Sequence, residues 1–273
     1  MIFPFAAIER TAPAQRQDAV RPRPGIHALD ILGVRVHSVT LKDTLQALDS
    51  MASDGGTHHV VTVNPEFIMT ARSHDRFRAV LNEASIALPD GIGIVWASRL
   101  LGGGIAERVT GVDVVYQFAG IAARRGYRLY LLGAAPGVAE QAASVLQRQN
   151  PDLQIAGTYA GSPREDENEE ICSRILAASP HVLLVAYGSP QQDLWIKRNR
   201  ERLKVPVSIG VGGTFDYIAG VIPRAPRVFQ RLGLEWLYRL TRQPERWRRM
   251  LVLPHFALLV FRSALAGNEK TEG

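Results

Sequence analysis

Short apolar runs alternate with amphipathic helical patterns along most of this chain, and that alternation constrains the fold more than any other feature. Arg128-Leu129-Tyr130-Leu131-Leu132 and Leu183-Leu184-Val185 leave no place for a solvent-facing residue at every second position. A strand written this way is buried on both faces, as in a parallel sheet covered by helices. The series opens with Ile31 to Val36 as strand and a helix from Leu41. His59 to Val63 follows, then helices around Phe67 and Phe77, then Ile86 to Leu88 and a helix from Ile92. It continues as helix from Val112 to Arg124, strand from Arg128 to Leu132, helix from Val138 to Gln149 and strand from Gln154 to Tyr159. Helix from Glu165 to Ala178, strand from Val182 to Ala186, helix from Gln191 to Leu203 and strand from Val207 to Val211 complete it. These patterns predict an α/β fold, a Rossmann-like three-layer domain with a mainly parallel sheet over residues 26–220.

The flanks read differently. Residues 1–25 mix Pro4, Pro13, Pro22 and Pro24 with arginines and carry no apolar period, which predicts a disordered leader. After Gly220 strand patterns stop, and helical stretches from Arg227 to Leu240 and from Pro244 to about Leu265 predict a basic amphipathic appendage over 221–273. Met250 to Phe261 is strongly apolar, but too short and too interrupted by Pro254 to span about 30 Å of hydrocarbon. Three covers for it stay open: a membrane interface, the core, or a second copy of the chain in a homo-oligomer.

The net charge of +6 is a local feature, because the stretch from Arg224 to Arg249 is dense in arginine against only Glu235 and Glu245. Arginine forks suit phosphate or carboxylate, and a basic helix suits an anionic membrane surface. Nucleic acid is not an expected partner, since that reading gives no reason for an acid among polar strand ends. Cys172 is the only cysteine, which excludes an internal disulfide and leaves a Cys-based metal site without support. The start of the chain lacks a secretory pattern, and no run of about eighteen apolar residues appears, so a cytoplasmic location is expected.

Several strand-to-helix junctions carry the polar chemistry. In Leu88-Pro89-Asp90-Gly91-Ile92-Gly93 a strand ends, presents one carboxylate and bends at glycine, with N-capping as the plainer role for Asp90. In Thr62-Val63-Asn64-Pro65, the period of two puts Thr62 and Asn64 on one side of a strand, where hydroxyl and amide can meet sugar hydroxyls. Asn64 can equally cap the next helix. Gly133-Ala134-Ala135-Pro136-Gly137 opens a helix whose N–H groups can meet a diphosphate, yet it lacks the dinucleotide fingerprint. Arg108-Val109-Thr110-Gly111-Val112-Asp113 reads first as a capping box. The Gly188 to Ile196 and Gly210 to Gly220 stretches add two more glycine-containing exits, and the three together predict one shared crevice. No metal-ligand spacing or nucleophile elbow is present in these motifs.

TVNPE, PDGIGIVW, RVTGVD, LLGAAPGVAE, GSPQQDLWI, GVGGTFDYIAG and RAPRVFQRLGLEWLYRLTRQPERWRR stand in an order that resembles the bacterial WecG/TagA/CpsF glycosyltransferases, over about residues 30–250. The resemblance implies an inverting, metal-independent transferase. Its donor is a UDP-sugar carrying an N-acetylmannosamine-type hexose or glucose, and its acceptor a polyprenyl-diphosphate-linked sugar of cell-envelope or exopolysaccharide synthesis. It implies no cofactor, and peripheral attachment to the inner face of the cytoplasmic membrane. By motif, Asp90 matches the catalytic base, Thr62 and Asn64 the neighbouring polar residues, and Gln192 a substrate-binding glutamine. Asp193 stands where that block usually has glutamate and is assigned no catalytic role. Gly133, Gly137, Arg108, Asp113, Asp216, Arg224 and Arg227 complete the expected substrate-binding set, the arginines balancing the diphosphate. Two rivals remain at this point: a nicotinamide-dependent oxidoreductase, resting on the Rossmann-like rhythm alone, and a non-catalytic peripheral membrane module.

Overall fold

A computed structural model describes residues 27–226, 228–229, 234–242 and 247–268. Its elements are β1 (Ala28–Ile31), β2 (Val34–His37), α1 (Leu41–Met51), β3 (His58–Val63), α2 (Pro65–Ser73), α3 (Asp75–Glu83), β4 (Ile86–Pro89), α4 (Ile92–Leu100), α5 (Gly111–Arg125) and β5 (Arg128–Gly133). They continue with α6 (Val138–Gln149), β6 (Gln154–Tyr159), α7 (Glu165–Ala178), β7 (Val182–Ala186), α8 (Gln191–Leu203), β8 (Val207–Gly210) and α9 (Thr214–Ile218). Three helices close the chain: α10 (Glu235–Arg242), α11 (Trp247–Met250) and α12 (Val252–Asn268). The leader expected over 1–25 lies outside the described residues.

Strands β3 to β8 form one sheet in the order β4-β3-β8-β7-β5-β6, every pairing parallel. Side chains of alternate parity pack into different layers, which is why the inner strands β5 and β7 are apolar along almost their whole length. Val60, Leu129, Leu131, Val182 and Leu184 pack with α1, α5, α6 and α9. Val61, Val63 and Ala87 pack with α2 and α4, while Tyr130, Leu132, Leu183 and Val185 pack with α7 and α8. β4 lies to one side of β3 and the later strands to the other, so the chain reverses its progression across the β3/β8 boundary. Ligands of open α/β sheets collect at the carboxyl edge of such a boundary.

Two local readings change. Ile31 to Val36 is not one strand: Leu32 and Gly33 take φ of 54° and 88°, and the chain folds into the antiparallel hairpin β1–β2 outside the main sheet. A pair of left-handed residues is what a tight hairpin turn requires. This hairpin braces β4, because Ala87 N–H donates to His37 Nδ1 at 2.9 Å. Burial, with the nearby Arg35 charge, lowers the His37 pKa to about 4, so the ring stays neutral and can accept that bond. Pro254, read as an interruption, instead lies in the first turn of α12, where its missing N–H has no intrahelical acceptor to lose. The break comes at Leu251, between α11 and α12. Cys172 is a buried free thiol on α7.

Candidate active site

The carboxyl ends of β4, β3, β8 and β7, with the helices that follow them, line a cavity of about 960 Å³. Across four strands its floor runs about 14 Å. Asp90 stands at the β4 end. Its N–H donates to Val63 O at 2.8 Å, and Val109 N–H donates to Pro89 O at 2.9 Å, which ties the turn to both neighbours. Gly91 leaves the strand at φ 134°, a conformation that side-chain-bearing residues rarely adopt, so the chain can turn into α4 directly after the acid. Asp90 makes no capping bond to α4, whose N-cap is Gly91.

Protein packed around the half-buried Asp90 carboxyl strips away part of its hydration and pushes its pKa up to about 7. The Arg108 charge pulls the other way, Glu235 pushes further up, and a hydrogen bond from Gly111 N–H at the start of α5 favours the anion. Desolvation prevails, as it does for a carboxyl withdrawn from water. The result is a proton acceptor poised near neutral pH.

Thr62 and Asn64 both line the cavity beside Asp90. Thr62 Oγ1 donates to Gly210 O at 3.0 Å, joining β3 to the β8 exit. Asn64 is the N-cap of α2, its Oδ1 accepting from Phe67 N–H at 3.0 Å, so the capping role holds and its amide nitrogen is left for other partners. At the β7 end, Gln192 is fully buried; Oε1 accepts from Gly212 N–H at 2.9 Å, whereas Nε2 has no partner. Ser189 Oγ is also buried and unpaired. Buried donors without partners are costly, and here three of them, on Tyr187, Ser189 and Gln192, belong to cavity-lining residues. Asp193 turns away into the core, where its Oδ1 meets His59 Nε2 at 3.2 Å and fixes the first turn of α8 on β3.

Arg108 and Arg224 line the cavity from the core side and from the segment after Gly220. Each is held by carboxylates. Arg108 pairs with Glu235 of α10; Arg224 pairs with Asp113 at 2.7 Å and approaches Glu235 at 3.6 Å. Asp113 also accepts from Thr110 Oγ1 at 2.6 Å and stands behind Arg224, not among the lining residues. Asp216 is on the cavity wall. Arg227 lies outside the described residues. The Gly133–Gly137 turn is a correction to the single-crevice expectation, because neither glycine lines the cavity. A Cβ on Gly133 would stand 2.8 Å from the Ala186 carbonyl carbon, so the glycine serves the contact between β5 and β7.

Glu235 and the apolar wall were not foreseen. Glu235 had a signal, being one of only two acids inside an arginine-dense stretch. Trp96 and Leu100 of α4 line the cavity at 63% and 55% exposure, and their spacing of four residues in a mostly apolar helix was the sign. Among the described residues, no group of three or more His, Cys, Asp or Glu is arranged to hold a metal ion.

Fold and cavity define a Rossmann-like enzyme with an acidic group set over the carboxyl edge of its sheet. The sequence model of the Glycosyl transferase WecG/TagA/CpsF family matches residues 29–270. Three relatives bear the name N-acetylglucosaminyldiphosphoundecaprenol N-acetyl-beta-D-mannosaminyltransferase. That of Bacillus subtilis strain 168 is 37% identical over 212 residues, covering 78% of this chain and 81% of its own. That of Bacillus spizizenii is 36% identical over 203 residues, 74% and 78% of the two chains. That of Staphylococcus aureus strain MW2 is 31% identical over 239 residues, 87% and 93%. The chain belongs to the WecG/TagA/CpsF glycosyltransferase family, and it is a glycosyltransferase; the oxidoreductase reading falls.

Proposed function

We propose that this enzyme moves a hexose, N-acetylmannosamine-type first and glucose second, from a UDP-sugar to a polyprenyl-diphosphate-linked sugar, with inversion and without a metal. The observation that carries the reading is Asp90, with its pKa raised to about 7, on the floor of a cavity that also has Thr62, Asn64 and the unpaired Gln192 amide nitrogen in its lining. Asp90 takes the proton of an acceptor hydroxyl as that oxygen bonds to the anomeric carbon. The bond from that carbon to the diphosphate oxygen breaks, and its electron pair leaves with UDP. The β linkage in the relatives' name fits inversion of an α-linked donor. Among the described residues Arg108 and Arg224 are the arginines that line the cavity, where they can balance the departing charge, which supports a metal-free mechanism.

Peripheral attachment to the inner membrane face belongs to the same reading. No helix among the described residues is long and apolar enough to cross a membrane. α12 buries Phe256 and Val260 against the core but leaves Leu258, Phe261 and Leu265 exposed on an outward stripe. A panel of UDP-sugars offered with a prenyl-diphosphate-linked N-acetylglucosamine, followed by UDP release and product mass, tests the proposal. One donor should turn over with a single hexose added; UDP binding with silence across the panel would overturn the acceptor, and absent UDP binding the whole reading.

A further inference from the structure

The cavity is chemically two-sided. Over the strand ends it is polar, with Thr62, Asn64, Asp90 and Gln192. Toward the segment after Gly220 it becomes apolar, where Trp96 and Leu100 of α4 face a wall that includes Leu240, Met250 and Leu253. α12 packs on α2 and α4, and its Phe256 and Val260 close the base of this side. Large apolar side chains left this exposed beside a site usually mark a binding surface.

We propose that this trough between α4 and the closing helices holds the first isoprene units of the acceptor's prenyl chain; the inference rests on the lipid-linked acceptor proposed above. Trp96 lies one helical turn beyond Ile92 and Leu100 a second turn, so the wall starts close to the base and extends about 12 Å from the start of α4. That order, acid then apolar wall, is the order in which a lipid-linked sugar presents its reacting hydroxyl and then its chain. Leu253 and Ala257, one turn apart, line the trough from α12. The next strip of the same helix carries the exposed Leu258, Phe261 and Leu265. An apolar path therefore leads from the cavity to the outside of the molecule without crossing Arg262 or His255 of α12, which lie on the far border of that strip. A bilayer alone would account for the outward strip, but not for an apolar wall inside the cavity.

The test is direct binding, measured by calorimetry without vesicles or detergent. The probes are N-acetylglucosaminyl-diphosphate bearing a farnesyl chain and the same compound bearing a methyl group. Wild-type enzyme should bind the farnesyl probe at least about tenfold more tightly. Trp96→Ala should weaken the farnesyl probe about tenfold and the methyl probe less than about twofold, with Leu100→Ser acting in the same direction and Trp96→Phe restoring part of the loss. Both positions are exposed, so the truncations leave no buried void. Equal binding of the two probes by wild type overturns the trough, as does equal weakening of both by Trp96→Ala. Loss of vesicle flotation in Trp96→Ala with farnesyl preference intact also overturns it, making the wall a bilayer contact. Farnesyl preference lost in the variants supports the trough even where no hexose is transferred, a result that would count against the transferase acceptor and not against this site.

Discussion

Asp90 is shaped by opposing charges on a small scale. Burial raises its pKa to about 7, Arg108 pulls it down, and Glu235, itself paired with Arg108, pushes it up. A general base works only when ionised, so kcat/KM should climb about tenfold from pH 6 to pH 8, half-rising near 7. Glu235→Gln removes one upward contribution and frees Arg108 to face Asp90, so the acid limb should move to lower pH. A pH-rate profile of both enzymes checks this. A limb already flat at pH 6 in wild type, or one displaced upward in the variant, would show that another group titrates.

At the level of elements, the junctions after strands divide into those that serve the cavity and those that serve packing. Gly133 belongs to the second kind, with φ 100° and the backbone of Ala186 within 2.8 Å of any added Cβ. Gly133→Ala should cost about 1–3 kcal/mol in denaturant unfolding while the folded fraction keeps its affinity for UDP. A weakened UDP affinity at unchanged stability would return the turn to the diphosphate. This distinction was not legible in the sequence, because a glycine that approaches a phosphate and one that approaches a neighbouring strand are written alike. The parallel sheet was legible, since burial on both faces leaves its mark on successive residues of the inner strands β5 and β7. The β1–β2 hairpin was missed because its turn is Leu32-Gly33, and leucine is a poor signal for a left-handed residue. Asp90, Thr62 and Asn64 could be picked out at strand ends. That β4 and β3 are neighbours while β5 lies three strands from β3 is a matter of strand order, which local patterns do not carry.

For the whole molecule, the segment after Gly220, read from the sequence as a basic amphipathic appendage with its apolar cover left open, has two apolar faces with different partners. Phe256 and Val260 complete the core, and Arg224 and Glu235 complete the cavity wall. The outward stripe does neither. Leu258→Glu with Phe261→Glu should therefore leave thermal unfolding within about 0.5 kcal/mol of wild type while abolishing flotation with anionic vesicles. Flotation unchanged by two added carboxylates would remove the stripe from the membrane reading.

The most direct test of the account is turnover by Asp90→Asn at pH 8, with the donor that wild type selects and with UDP affinity measured alongside. The account predicts a fall in kcat of about 10²–10⁴-fold, the span a positioned base contributes, with UDP affinity within about twofold. Near-wild-type turnover in that variant would contradict it, because no base at the end of β4 would then be required.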